Sequence, residues 1–426
     1  MSKKLFQMSV ARYSGEEYQS VRYSMFINII YLLSTPFIGL YMMSRSVPMP
    51  NKKEHSHILC EAISIEYKNN NISTLVKEFK GKDIRYIGEG LDCDGIMDNQ
   101  FLRIDSWRVI FTAWLAFPCV CILLLFERAS LANALLKTLV VYYRGRRFFQ
   151  YNSANIFLTV RDNTCSAALY SSFYSSGGRK FCGIQNGIRS RSSGISYSYF
   201  DHLFAMNKNT IEMYQSVGSV IHNFDIVPTL PLDNFLKKID KVDINIDILF
   251  IDQGFPVKGL EMWLPAGKGE DVLKFLDQVK EFSIKHEELS IVYLMRKYEK
   301  SQKYVSEAIE DWAKNSNIIL KYPCNSNESY RTVSQSKLVV TMFSTLGLEA
   351  LSLEVDTLFF NINGNQELNV CGPPYQHRLS DYQYFENTIQ KGLFLTLKKN
   401  KKSIEFYVPP AIDGSKLIAN KINGYA

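Results

Sequence analysis

From residue 129 onward the chain alternates two hydrophobic rhythms. Short runs of Val, Ile, Leu and Phe, such as ANIFLTV (154–160), YFDHLFAMN (199–207) and KLVVTM (337–342), suit strands buried on both faces. Between them lie stretches whose apolar residues recur at three- and four-residue spacing, as on one face of a helix. TCSAALYSSFYSSGG (164–178) reads as a helix with a glycine stop, and a helix over 208–217 is closed by Gly218. RKFCGIQNG (179–187) is the strand and turn between them. Strand, helix and strand joined by short connections predict a parallel sheet flanked by helices.

The stretch 225–246, with Pro228 and Pro231 and no clear period, reads as a linker. A second series follows. Its strands are DILFIDQG (247–254), ELSIVYLM (288–295), NIILKYP (317–323), KLVVTM and TLFFNI (357–362). Its helices are expected over 269–286, 301–314, 327–335 and 344–354. The economical architecture is α/β, with two Rossmann-like domains in tandem.

The first third follows neither rhythm. Residues 25–43 (MFINIIYLLSTPFIGLYMM) and 109–125 (VIFTAWLAFPCVCILLL) are apolar runs near the lower limit for crossing a bilayer. Lys3, Lys4, Arg12 and Arg22 precede the first run, and Arg128, Lys137, Arg144, Arg146 and Arg147 follow the second. A membrane hairpin with both ends cytoplasmic fits that charge pattern. Buried or surface-docked elements are the alternative. The resulting division is an N-terminal region 1–128, a first Rossmann-like domain 129–230, a linker 231–246, a second domain 247–395, and a tail 396–426 that packs back.

Composition narrows the function classes. The 426 residues are 46% hydrophobic and 21% charged, which suits packed cores rather than a disordered chain. The net charge of +7 is mild and is not concentrated in a basic arm, so nucleic acid is not an expected partner. The eight cysteines are scattered without a CxxC pair, which argues against a zinc ribbon or a disulfide scaffold. Cys60 and Cys93 share a polar segment that the hairpin reading would put outside the membrane.

In open α/β sheets ligands sit at the carboxyl ends of strands. At FSTLGLEA (343–350), Ser344 and Thr345 end a strand and open a helix, where hydroxyls and free N–H groups cradle an anion such as phosphate. Gly347 would let a ligand approach the backbone, and Glu349 would accept hydrogen bonds from ribose or sugar hydroxyls. A plain helix cap at Ser344, with Glu349 in a capping-box-like network, is the competing account. In the first series, Gln185-Asn186-Gly187 ends a strand, with Arg189 and Arg191 beyond. A tight turn accounts for the Asn-Gly pair, while cleft-facing arginines would bind phosphate or an acidic sugar.

STLGLEAL, a short acidic loop and the strand VDTLFFNING resemble the donor-nucleotide region of GT-B glycosyltransferases, and the likeness in element order runs over about 129–395. Bacterial surface-polysaccharide transferases of that type (O-antigen or capsule) resemble the first corner too, with a strand ending in Gln-His-Gly or Gln-Asn-Gly. Relatives often place a His-Pro pair after the second strand of the second domain. This chain has YLMRKYEKS there, so Arg296 and Lys297 would supply the donor's positive partner, or else merely start a solvated helix.

The resemblance implies transfer of a sugar from a nucleotide-sugar to a lipid-linked oligosaccharide acceptor at the cytoplasmic face of the bacterial inner membrane. An inverting transferase needs a base for the acceptor hydroxyl. Asp162, ending the 154–160 strand, is the first candidate and otherwise a helix cap; Asp252 is the reserve. His202 lies within a strand and reads as structural. DCD (92–94) lies outside both predicted sheets and no DxD element stands at a strand end, so no metal or other cofactor is expected. A sugar-nucleotide epimerase or polyol-phosphate transferase shares the implied fold, and a non-catalytic assembly partner is a third possibility.

Overall fold

A computed structural model describes residues 7–8, 54–64, 68–79, 81–89, 138, 141–142, 144–146, 148–162, 165–189, 197–239, 242–252, 269–296, 303–361, 372, 375–394 and 405–425. The apolar runs 25–43 and 109–125, the DCD element, Cys93, Lys297 and Arg191 lie outside them. Among the described residues no helix is long and apolar enough to cross a membrane.

Two six-stranded sheets form, and every strand pair is parallel. The first holds β1 (Glu54–Ser64), β2 (Ile84–Glu89), β3 (Asn152–Thr159), β4 (Lys180–Ile184), β5 (Tyr199–Ala205) and β6 (Val220–Ile226), in the order β2-β1-β3-β4-β5-β6. The second holds β7 (Ile246–Ile251), β8 (Ile291–Leu294), β9 (Ile318–Lys321), β10 (Ser336–Thr341), β11 (Asp356–Asn361) and β12 (Gln376–Arg378), in the order β12-β11-β10-β7-β8-β9. The order reverses between β1 and β3 in one sheet and between β7 and β10 in the other. Those reversals are the topological switch points where such sheets bind ligands.

The alternating pleat explains the two-sided burial. Leu59, Phe157, Phe181 and Leu203 point to the face covered by the helices Ala167–Ser175 and Lys208–Ser216. Ile58, Cys60, Ile156, Leu158, Cys182 and Phe204 point to the other, which the C-terminal helix Gly414–Asn423 covers with Ile418, Ala419 and Ile422. Both faces are dry, so these strands read as continuous apolar runs. The two helices begin on Ser166 and Asn207 caps, and Gly177 and Gly218 stop them at φ 89° and 81°.

Several elements were not expected from the pattern. β1 and β2 draw residues 54–64 and 84–89 into the first sheet, upstream of the boundary expected at 129. Cys60 therefore sits buried in an interior strand, where desolvation pushes its thiol up to about 12. β6 is an edge strand with exposed His222, Asn223 and Phe224, which removed its apolar signal. The stretch expected as a linker contains a helix, Leu230–Leu236, capped by the Thr229 hydroxyl with proline in its first turn. β12 and the helix Tyr382–Phe394 extend the second half beyond the last predicted strand.

The Leu230–Leu236 helix joins three parts. Phe235 stacks on Tyr330 of the helix Ser326–Ser334, with ring centroids 5.2 Å apart. Asp233, buried, accepts the Gly414 N–H at 2.7 Å, the Ser415 N–H at 3.2 Å and the Ser415 hydroxyl. It thereby caps the C-terminal helix and ties the end of the chain to the junction of the two sheets.

Candidate functional site

The two corners singled out by sequence face each other. Gln185–Arg189 follows β4, and Ser344–Thr345 follows β10 at the second sheet's switch point. The Ile188 N–H donates to Thr345 Oγ1 at 2.9 Å, bridging the halves. A Cβ on Gly187 would lie 3.2 Å from that oxygen, so glycine allows the close approach. Neither Asn186 nor Gly187 has positive φ, which replaces the tight-turn explanation with one of proximity.

The first corner is held from beneath. Gln185 is buried; its amide donates to the Gly187 carbonyl at 2.8 Å and to Thr210 Oγ1 at 3.2 Å, and its carbonyl accepts the Met206 N–H at 2.8 Å. Arg189 grips Asp162 bidentately, through Nε–H at 2.8 Å and Nη2, and Nη2 also donates to Asn186 Oδ1 at 2.6 Å. The Tyr214 hydroxyl donates to Asp162 at 2.7 Å. Burial opposes the Arg189 charge, but Asp162 and Tyr214 outweigh it and hold the guanidinium above its ordinary value. Burial, then Asp162, raise the Tyr214 phenol well above its own. Asp162 is 0% exposed with both oxygens engaged, so here it anchors the corner rather than facing a ligand.

On the second corner Ser344 caps the helix Thr345–Ser352, accepting the Leu346 N–H at 3.2 Å. Gly347 faces the sheet: a Cβ there would meet Thr341 Cγ2 at 2.7 Å and the Phe359 ring at 3.0 Å. This glycine therefore serves helix-on-sheet packing, not the ligand approach expected for it. Gly347→Ala should cost about 1–3 kcal/mol of stability through overpacking, measured as a lower urea midpoint at unchanged slope.

Glu349 is buried one turn further in and makes no capping box. Its Oε1 accepts the hydroxyl of Thr229, the cap of the junction helix, and Tyr330 also hydrogen-bonds its carboxyl. Burial pushes the Glu349 carboxyl up to about 7, against the lowering by those two hydroxyls.

The remaining candidates fall elsewhere. Asp252, after β7, is buried and accepts the Tyr293 hydroxyl at 3.2 Å and the Arg296 N–H at 3.3 Å; the Arg296 side chain is exposed. His202 lies within β5, fully buried, with Nδ1 2.7 Å from the Tyr425 hydroxyl and Nε2 2.9 Å from Asp225. It fastens the C-terminal segment, in line with a structural role. Among the described residues no cluster of metal-ligating side chains forms.

One residue escaped the sequence reading. Glu61, near the carboxyl end of β1 beside the first sheet's switch point, is buried and accepts the Thr159 hydroxyl. That hydroxyl in turn accepts the Arg161 N–H at 2.9 Å. Its signal was a carboxylate ending the apolar run ILC, hidden because no strand was expected there.

No family model matches the chain, and no curated protein does. Solved structures do. Staphylococcus aureus MnaA, solved with UDP, superposes with a TM-score of 0.51 at 14% identity, covering 87% of this chain and 96% of that one. The UDP-GlcNAc 2-epimerase of Neisseria meningitidis, bound to UDP-GlcNAc, gives 0.48 at 13% identity over 87% and 100%. A variant of the wall teichoic acid polymerase TagF soaked with CDPG gives 0.49 at 11% identity over 94% and 97%. At such identities the likeness is one of fold, and the chain has the two-sheet α/β fold of GT-B type.

Proposed function

We propose that the chain is an enzyme of nucleotide-activated sugars, and that it transfers the sugar to a lipid-linked glycan acceptor. The observation that carries this reading is the meeting of the β4 and β10 corners, one of them at a switch point, through the 2.9 Å Ile188–Thr345 hydrogen bond. The donor's phosphates would take the N–H groups and hydroxyls at Ser344–Thr345, where the helix dipole favours an anion. Glu349 would accept two hydroxyls of the ribose. Arg189, turning from Asp162 to the phosphates, would stabilise the leaving group and free Asp162 to take the acceptor's proton. Arg296 and Lys297 would add charge at the rim. The proposal uses no metal and places the enzyme on the cytoplasmic face of the inner membrane, brought there by runs 25–43 and 109–125.

An epimerase of the same donor is the second reading. The closed contact between the corners suits a single small substrate enclosed away from water. The test is incubation of the purified protein with labelled UDP-, GDP-, CDP- and dTDP-sugars, with and without membrane lipid extract. Acceptor-dependent release of the nucleoside diphosphate supports the transferase. Sugar interconversion without acceptor or nucleotide release overturns it in favour of the epimerase. Inertness toward all four donors removes both.

A further inference from the structure

Glu349 does not stand alone in the seam. Its helix, the junction helix and the helix Ser326–Ser334 meet around it, each contributing one polar group: Glu349, Thr229 and Tyr330. Leu232, Phe235 and Tyr330 pack beside them against Leu346 and Leu353. Thr345, four residues before Glu349, holds the first half through Ile188. One face of a single helix thus bonds to both the first-half corner and the junction.

We propose that Thr229 and Tyr330 are positioning residues for Glu349: their hydroxyls hold its carboxyl in the orientation in which it meets the hydroxyls of a ligand. The inference rests on the nucleotide-sugar reading above. A carboxylate binding a vicinal diol accepts two hydrogen bonds, and Thr229 and Tyr330 already donate to it. Four donors can share one carboxylate only when it is ionised. The other charges on the packed elements are committed or remote. Asp233 serves Gly414, Ser415 and Lys237; Glu328 accepts the Cys324 N–H; Arg331 is exposed. Among the described residues no nearby cation offsets the burial that holds Glu349 neutral up to about pH 7. The binding-competent carboxylate is then about one tenth populated at pH 6, which weakens apparent affinity about tenfold relative to pH 8.

The experiment is calorimetric titration of the full chain with UDP and with CDP at pH 6, 7 and 8, in two buffers of different ionisation enthalpy. Wild type should bind one nucleotide about tenfold tighter at pH 8 than at pH 6 and release a proton on binding near pH 7. Thr229→Val and Tyr330→Phe should weaken binding at pH 8 several-fold, and Thr229→Ser, which keeps both the cap and the hydroxyl, should restore it. Circular dichroism confirms that each variant is folded. Wild-type binding that is pH-independent, or unchanged by both Thr229→Val and Tyr330→Phe, overturns the positioning role and leaves the nucleotide reading standing. Absence of binding by either nucleotide to wild type overturns both.

Discussion

Arg189→Met should destabilise the fold by about 3–5 kcal/mol, read as a lower urea midpoint at unchanged slope. The Arg189 side chain is only 15% exposed and Asp162 is 0% exposed, so removing the guanidinium strands a carboxylate away from water. Among the described residues Tyr214 alone would remain to donate to it. The size follows from this asymmetry: a buried pair adds little over an apolar substitute, but a broken one leaves an uncompensated charge. Asp162→Leu in the same chain as Arg189→Met should therefore recover much of the loss. The remainder comes from the unpaired Tyr214 hydroxyl, worth about 1–3 kcal/mol. A double variant no more stable than Arg189→Met would show that the corner depends on Arg189 for its contacts to Asn186 and Ile188, not on the charge balance.

The second large effect is a pH dependence with a defined sign. The folded-state value of Glu349 is raised from 4.5 to about 7, so the folded protein holds this proton more tightly than the unfolded chain. The associated stability is fully present below pH 4.5 and is lost as pH rises through about 7. The loss approaches roughly 3 kcal/mol by pH 8, because each tenfold gain in proton affinity on folding is worth about 1.4 kcal/mol. Glu349→Gln keeps an oxygen that accepts from Thr229 and Tyr330 but cannot ionise. Its stability relative to wild type should rise by about 2–3 kcal/mol between pH 5 and pH 8. The check is a series of thermal melts of both proteins from pH 5 to 8.5. A gap that stays constant across the series would show that Glu349 does not titrate within the fold in this range.

These two sites divide the halves of the seam by chemistry. The Asp162–Arg189 pair fixes the first corner through charge. The Glu349–Thr229–Tyr330 cluster fixes the second through a carboxyl whose proton leaves near neutrality.

The chain alone determined the α/β alternation over 152–217 and 246–361, because strands buried on both faces must be nearly all apolar. It also determined the two corners, since glycine, capping hydroxyls and a strand end coincide at few places. β1, β2 and β6 were illegible for a different reason. β1 carries Glu61 and two histidines within its span, and β6 exposes its middle at the sheet edge, so neither shows an uninterrupted apolar run. Only the tertiary structure decided what the corner residues touch. Gly347 meets Thr341 and Phe359, Asp162 meets Arg189 and Tyr214, and Glu349 meets Thr229 at a sequence separation of 120 residues. Local pattern encodes which element forms and where it ends. The partner of a buried polar group is set by which elements pack together, and that depends on the whole chain's hydrophobic burial.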